Sequence, residues 1–314
     1  MIKKIYHSIV FALLKLVSLL PLKILYFFAS GIALILYYII QYRRNIISEN
    51  LKNSFPEWTE KKRKESLKNF YKYFATMVVE SVKMFSMNLK TLEKHIKFKN
   101  PEILQEYFKQ GKSVIVISAH YGNWEWLLGL RNEIPHHGIA VYKPLNDKYF
   151  NKLMTNARSS LNTSLISMRE IPKVLMGLKR DGIASLSVYI ADQSPVWEEI
   201  QYWTSFMNQM TPVYLGPEKL ARKLDMTVVY FRMKVLSKGK YEVEIIPIAE
   251  NAAETEEYEI TDSHVRLLEE DIKSNPEYWL WSHRRWKLTK KRMLEESQNR
   301  FRFEGQFKRK SAHA

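Results

Sequence analysis

The sequence has 314 residues, enough for one large domain or two smaller ones to bury a core without covalent staples. It contains no cysteine, which excludes disulfide scaffolds, thiolate zinc sites, iron–sulfur clusters and cysteine nucleophiles. Lysine and arginine number 49 against 33 aspartate and glutamate, and the net charge of +16 indicates an anionic partner: a nucleic acid, an acidic protein or an anionic lipid surface.

The first strong pattern is an uncharged apolar stretch over residues 24–42, ILYFFASGIALILYYIIQY. As a helix rising ~1.5 Å per residue it is about 28 Å long, close to the ~30 Å hydrocarbon thickness of a bilayer. Three tyrosines near its end, followed by Arg43 and Arg44, are typical of an aromatic interface belt with a positive-inside anchor. The pattern therefore predicts a single membrane-spanning helix, and the alternative is a buried core helix.

An earlier apolar stretch, residues 5–20, carries His7 and Lys15 and stops at Pro21. It predicts an interfacial or re-entrant helix, because no small-residue cleavage site follows to indicate a signal peptide. The chain accordingly divides into membrane-anchor helices over 1–42 and one soluble domain over 43–314 with a basic tail.

Beyond Arg43 the hydrophobic pattern alternates between helical spacing and short β-branched runs. Helices are predicted over 65–85, 101–111, 147–161, 171–179 and 216–224, and strands over 113–118, 139–142, 183–190, 227–235 and 241–248. A turn over 237–240 joins the last two strands into an antiparallel hairpin. This order predicts one α/β domain with a central, mostly parallel sheet.

His120 falls in the loop after the strand over 113–118, within the segment SAHYGNWEW. In open α/β sheets, ligand crevices form at the carboxyl ends of the strands. Glu125 follows five residues later, and Asn123 is suited to cap a helix that carries it. This spacing lets the carboxylate fold back on the imidazole, fix its tautomer and stabilise the imidazolium formed in general-base catalysis. The alternative for so common a spacing is a structural histidine.

Other catalytic signatures are missing from the sequence. There is no Gly-x-Ser-x-Gly elbow, no P-loop and no Gly-x-Gly-x-x-Gly, which disfavours an acyl-serine enzyme and a bound nucleotide. The pair His136–His137 lacks a third ligand at metal spacing and is interpreted as loop polarity, so neither a metal nor another cofactor is predicted. Group transfer would then proceed by direct attack of a substrate hydroxyl.

Several stretches, in order along the chain, resemble one known family. His120 to Glu125 resembles the HX4(D/E) motif of glycerolipid-type acyltransferases. Nearly the whole chain is similar to the bacterial lipid A late acyltransferases, the Kdo-dependent lauroyl and myristoyl transferases. The matching elements are RNIISENLKNSFP from Arg44, VYKP over 141–144, Arg158, Ala191–Asp192–Gln193 and PEYWLWSHRRWK over 276–287. Lys143 stands where that family usually has arginine.

The resemblance implies a glycerolipid-acyltransferase-like fold and an inner-membrane enzyme whose active site faces the cytoplasm. Such an enzyme transfers a fatty acyl chain from the thioester of acyl carrier protein to a hydroxyl of a lipid A precursor. His120 would deprotonate that hydroxyl and Glu125 would orient the imidazole, while Asp192 and Gln193 brace the site. The substrate-binding residues implied are Arg158, Lys143, Asp192, Gln193 and Arg284, with Arg158 near the oxyanion or an acceptor phosphate.

Basic residues cluster over 61–64, 284–292 and 302–310. Such clusters are suited to bind an anionic membrane, an acidic carrier protein or the phosphates of a substrate. The alternative interpretation is that they only form a solvated helix face. Trp279, Trp281 and Trp286 lie beside or within the second cluster, a pattern typical of a half-wet interface.

Two other functions remain open at this point. One is a lipid acyltransferase that uses a lysophospholipid or an amino-acid-headed lipid as acceptor, which the lysine at position 143 favours. The other is a non-catalytic, membrane-tethered nucleic-acid-binding or scaffold protein, whose salt-dependent binding would not need His120. The apolar anchor and the HX4E motif disfavour the second function, so no nucleic-acid partner is expected.

Overall fold

Ten α-helices are found in the computed structural model, which describes residues 2–145, 147–159 and 163–288. They are α1 Ile2–Ser18, α2 Leu22–Leu34, α3 Arg44–Ser54, α4 Glu60–Lys83, α5 Leu89–Leu92, α6 Glu102–Lys109, α7 Lys148–Ser159, α8 Ile171–Arg180, α9 Gly216–Leu224 and α10 Glu259–Ser274. Helix α2 continues into a π-helical turn over Ile35–Ile39.

A seven-stranded sheet in the order β1-β9-β8-β2-β5-β3-β4 lies at the centre of the fold. Its strands are β1 Ile96–Phe98, β2 Val114–Ser118, β3 His137–Tyr142, β4 Ser164–Ser167, β5 Ser185–Ile190, β8 Thr227–Ser237 and β9 Lys240–Ala249; β6 Tyr202–Phe206 and β7 Gln209–Val213 form a separate antiparallel hairpin. Every neighbouring pair in the large sheet is parallel except β8 and β9. The predicted α/β class with a mostly parallel sheet is confirmed.

Strand β2 lies in the middle of this sheet, and all five of its residues are buried. Val114 and Val116 join one hydrophobic cluster, and Ile115 and Ile117 join a second cluster. Both faces are covered because helices pack on both sides of a parallel sheet, and this explains the continuous apolar run. His120 follows the strand by two residues and therefore stands at the carboxyl edge of the sheet.

The two N-terminal helices pack on the side of the domain that carries α4. Leu22–Ile39 is the one helical segment of the described residues that is long and apolar enough to be a candidate membrane anchor. One face of α2, with Leu25, Ala29 and Ala33, packs against Ala75 and Val79 of α4. The remaining surface of the segment is largely exposed, including Phe27 at 76%.

One local expectation is wrong. The helix that Asn123 was expected to cap is a 3₁₀ stretch over Trp124–Asn132, and the Asn123 side chain makes no capping hydrogen bond. Its amide Nδ2 instead donates to Glu80 Oε2 at 2.7 Å, in the buried space between the sheet and α4. A buried carboxylate is a stronger acceptor for that amide than the loop can offer locally.

Candidate active site

His120 and Asp192 meet at the carboxyl edge of the sheet. His120 follows β2 and Asp192 follows β5, and these two strands are parallel neighbours, so their ends lie side by side. His120 Nδ1 lies 2.7 Å from Asp192 Oδ1, and the backbone N–H of His120 donates to the same oxygen at 3.0 Å. The indole Nε1 of Trp279 donates to Asp192 Oδ2 at 2.8 Å. Each carboxylate oxygen therefore accepts at least one hydrogen bond.

The charge of Asp192 decides the tautomer of the imidazole. Burial acts to raise the pKa of Asp192, but the attraction of His120 and the three hydrogen bonds outweigh it and lower the pKa to about 2. A charged carboxylate can only accept, so His120 Nδ1 carries the proton and donates. Gln193 Nε2 lies 3.1 Å from His120 Nε2 and donates to it. His120 Nε2 is thus the basic nitrogen of the ring.

Glu125 has a different partner from the one expected. Arg158, in the last turn of α7, donates from Nε to Glu125 Oε2 at 2.8 Å and from Nη2 to Oε1 at 2.5 Å. No hydrogen bond joins Glu125 to His120, both of which belong to the described part of the chain. The two-point pairing fixes the plane of the guanidinium, so Glu125 orients Arg158 and Asp192 orients His120.

A cavity of about 640 Å³ opens beside these groups. That volume falls within the ~300–1,000 Å³ typical of ligand pockets. Its polar lining includes His120, Glu125, Lys143, Arg158 and Gln193. The rest of the lining is mostly apolar and includes Leu127, Leu130, Ile134, Ile139, Val141, Leu165, Leu186 and Val188. The site therefore combines a fixed imidazole and a fixed guanidinium with an aliphatic interior.

The structure does not bring Arg284, an expected substrate-binding residue, to this cavity. Arg284 is exposed and is not part of the lining, whereas its neighbours point inward. His283 Nε2 accepts a hydrogen bond from the backbone N–H of Ser194 at 3.3 Å, and buried Arg285 donates from Nη2 to Pro212 O at 2.7 Å. Asp192 itself lies behind His120, outside the cavity lining.

Trp279 and Trp281, in the C-terminal signature PEYWLWSHRRWK over 276–287, are not at a half-wet interface, whereas Trp286 is half-buried and donates from Nε1 to Thr211 Oγ1 at 2.8 Å. Trp279 is 2% exposed and Trp281 is fully buried. Besides the indole bond to Asp192, the signature pairs with the active-site loop through a β-bridge between Tyr121 and Trp279 and a hydrogen bond from Leu280 N to His120 O at 3.0 Å. Trp279 therefore holds the loop that carries His120 and does not face a membrane surface, a role that residue type alone does not reveal.

The segment from Arg43 to Asn50, at the start of α3, also holds the C-terminal signature in place. Asn50 Nδ2 donates to Trp281 O at 2.8 Å and to His283 O at 3.0 Å, and Arg43 donates to Ser282 O at 2.9 Å. The two stretches are 231 residues apart along the chain at Asn50 and Trp281. Local periodicity does not report a contact over this separation.

His136 is buried rather than a polar loop residue, and its Nε2 lies 3.2 Å from Lys112 O. Burial lowers the pKa of His136, so the ring is neutral and structural. Within residues 2–145, 147–159 and 163–288, no group of three or more histidine or carboxylate side chains has the arrangement of a metal site.

Comparison with known proteins gives consistent matches over this fold. The family model described as "Bacterial lipid A biosynthesis acyltransferase" matches residues 1–288. The lipid A biosynthesis lauroyltransferase of Escherichia coli K12 is 23% identical over 276 residues, covering 87% of this chain and 88% of that protein. The palmitoleoyltransferase of the same organism is 21% identical, covering 85% and 86%. A lipid A biosynthesis acyltransferase of Haemophilus influenzae is 23% identical, covering 76% and 74%.

Proposed function

Because the chain belongs to the bacterial lipid A biosynthesis acyltransferase family, we propose that His120 is the general base of its acyl transfer. The acceptor is a hydroxyl of a lipid A precursor, and the donor is the thioester of an acyl carrier protein. One observation carries this proposal. His120 lines a largely apolar cavity, and its Nδ1–H donates to Asp192, so Nε2 is the ring nitrogen that can take a proton.

The proposed step moves one proton through His120. The acceptor O–H loses its proton to Nε2 while its oxygen attacks the thioester carbon. The tetrahedral intermediate then expels the thiolate as the C–S bond breaks, and the imidazolium returns the proton to that sulfur. The charged Asp192 stabilises the imidazolium between these events. The acceptor hydroxyl takes the place of the Gln193 amide at Nε2.

Arg158 supplies fixed positive charge in the same cavity. Glu125 takes the N–H of Nε and one N–H of Nη2, which leaves Nη1 and the second N–H of Nη2 to donate to a developing oxyanion or an acceptor phosphate. Holding the guanidinium in advance means that no reorganisation is needed when negative charge develops. Lys143, exposed on the cavity lining, adds a second cation for phosphate.

An acidic carrier protein suits the net charge of +16. The cluster over 61–64 is largely exposed and available for such a partner. The basic residues over 289–292 and 302–310 lie outside the described residues. We propose that the enzyme acts at the cytoplasmic face of the inner membrane, because Arg43 and Arg44 at the end of the apolar segment are attracted to the anionic lipids of a cytoplasmic leaflet.

Mass spectrometry of total lipids tests the function. A strain lacking the gene is expected to accumulate a lipid A species that is short of one acyl chain. Wild-type protein restores that chain, and His120→Ala does not. Intact lipid A together with altered phospholipids or amino-acid-headed lipids would instead identify the alternative acceptor.

A purified assay with acyl carrier protein thioester tests the chemistry. His120→Ala is expected to lower turnover by about 10²-fold or more, with an unchanged melting temperature. Wild-type turnover in this variant would exclude His120 as the base. Equal rates with other thioesters would exclude a dedicated carrier-protein donor.

A further inference from the structure

The N-terminal helices present an apolar surface that the rest of the described chain leaves uncovered. We call it the N-terminal apolar surface. Its members are exposed side chains of α1, of the turn after it, and of α2 with its π-helical end: Ile9, Leu13, Leu16, Leu19, Phe27, Phe28, Leu34, Tyr38 and Ile39. Exposed apolar surface of this extent in a folded chain marks an interaction site.

The opposite face of α2 is attached to α4 from one end to the other. Just before α2 begins, Lys83 Nζ donates to Ser18 O at 2.8 Å and to Leu20 O at 3.0 Å. Further along, Tyr26 Oη donates to Glu80 at 2.8 Å. At the far end, Lys68 Nζ lies 5.9 Å from the ring centre of Tyr37.

Contacts at increasing residue numbers from Ser18 to Tyr37 meet decreasing residue numbers of α4, from Lys83 to Lys68. The two helices therefore lie antiparallel and side by side. A transmembrane α2 would carry α4 into the hydrocarbon at the same depth. Lys68 and Lys72 are exposed on α4, and a charged side chain at the bilayer centre costs at least ~2.5–3.5 kcal/mol. The sheet and loops attached to α4 would also enter lipid, where irregular backbone has no hydrogen-bond partners.

We infer that α2 does not cross the bilayer, and that α1 and α2 lie in the plane of one leaflet with the N-terminal apolar surface embedded in it. Helices of this kind bury an apolar face ~5–10 Å into the boundary between headgroups and acyl chains. In this arrangement α4 and its lysines remain on the water side. The N-terminal helices then anchor the protein in one leaflet, whereas the apolar stretch by itself predicts a helix that spans both.

The same arrangement brings the cavity to the leaflet. His7 of α1 stacks on Tyr149 with ring centres 4.6 Å apart. Tyr149 and Phe150 are exposed, and the nearby Leu145 and Asn151 line the cavity. The acyl chains of an acceptor lipid therefore have an apolar route from the leaflet to the cavity. This last step rests on the proposed function, whereas the orientation of the helices does not.

The absence of cysteine makes the orientation directly measurable. Spin labels on Phe27→Cys, Leu34→Cys and Ile39→Cys report immersion depth in vesicles of phosphatidylethanolamine and phosphatidylglycerol, from accessibility to oxygen and to a water-soluble nickel chelate. These sites are 76%, 59% and 75% exposed, so labelling leaves the fold unchanged. Met176→Cys on α8, which covers the other face of the sheet, is the matched exposed control.

We expect three similar, shallow depths in the embedded helix and a water-exposed label at position 176. A crossing helix would instead separate positions 27 and 39 by about 18 Å of depth, since they are twelve residues apart. That gradient would overturn the inference. Labels reached by neither reagent, together with a dimer in detergent, would show that a second copy covers the surface, and this would overturn it too. None of these readouts depends on catalytic activity.

Discussion

His120 and Asp192 are 72 residues apart in the chain, yet the ring and the backbone of the histidine both bond to the same carboxylate oxygen. Glu125, only five residues from His120, bonds to Arg158 instead. The two acidic side chains therefore serve different groups. One orients the imidazole that we propose as the base and the other orients a cation, and this division makes their substitutions distinguishable.

Asp192→Asn is expected to lower kcat by about 10²-fold or more, because an amide has no negative charge to stabilise the imidazolium and, with its nitrogen towards Nδ1, imposes the wrong tautomer on His120. Steady-state kinetics of acyl transfer measures this loss, with thermal melting as the control for folding. Glu125→Gln keeps the tautomer and is expected to cost less. If Glu125→Gln abolished turnover while Asp192→Asn retained it, the assignment of the orienting residue would be reversed.

Arg158→Lys is expected to reduce kcat/KM by ~10–100-fold, because an ammonium cannot make the two-point contact with Glu125 and loses its fixed position. Arg284→Lys is the matched control, since Arg284 is exposed and lies outside the cavity lining. The control is expected to keep wild-type kinetics. A comparable loss in both variants would point to general electrostatics rather than to the oriented guanidinium.

Glu80 joins α2 to the loop that carries His120. Its buried carboxylate accepts hydrogen bonds from Tyr26 of α2, from Asn123 of the loop after β2 and from Tyr241 of β9, at 2.8, 2.7 and 2.6 Å. A glutamine has only one acceptor oxygen, so Glu80→Gln cannot accept from all three groups, and at least one of these hydrogen bonds is lost or reversed. We expect kcat to fall about 10-fold with KM nearly unchanged, because the loop that carries His120 is displaced.

Hydrogen exchange distinguishes this positioning role from a general loss of stability. In Glu80→Gln the amides of 119–127 are expected to exchange faster, while those of β5 keep their protection. Glu218→Gln provides a matched buried carboxylate on α9, which accepts backbone hydrogen bonds from Tyr258 and Thr261. It is expected to lower Tm but to keep kcat per folded molecule. Unaltered exchange at 119–127 in Glu80→Gln would show that Glu80 does not position the loop that carries His120.

His283 makes the stability of the fold sensitive to acid. Burial lowers its pKa to about 4, and its Nε2 accepts from Ser194 N only when it is neutral. The unfolded chain has a histidine pKa of ~6.5 and so binds the proton first, and the contribution of His283 is lost as pH falls from about 6.5 towards 4.

Urea unfolding of wild type and His283→Gln between pH 7 and 4 measures this contribution. The advantage of the wild type is expected to shrink over that interval by at most about 3 kcal/mol. His264, whose pKa burial also lowers to about 4, is present in both proteins and cancels in the comparison. A constant difference across the interval would show that His283 titrates alike in both states.

Much of the architecture could be predicted from local patterns. The helix expected over 216–224 is Gly216–Leu224, and the strand expected over 113–118 is Val114–Ser118. The short edge strands β1 and β4 and the β6–β7 hairpin were not predicted, since three to five residues carry too little periodicity. Helix α10 was missed as well, although its apolar residues Val265, Leu268 and Ile272 follow helical spacing and are buried, and the helix packs on β8 and β9.

By itself, the order of amino acids determined the layers of the fold and put an imidazole at the carboxyl edge of a parallel sheet, because side-chain periodicity reports burial directly. It also carried the motifs of the family. Only the tertiary structure decided which polar groups meet: Asp192 and Trp279 around His120, Arg158 on Glu125, and α4 along the apolar anchor. The physical reason is that the partner of a hydrogen bond follows from which strands and helices become neighbours. The packing of the whole chain settles that choice, and the spacing along any one segment does not.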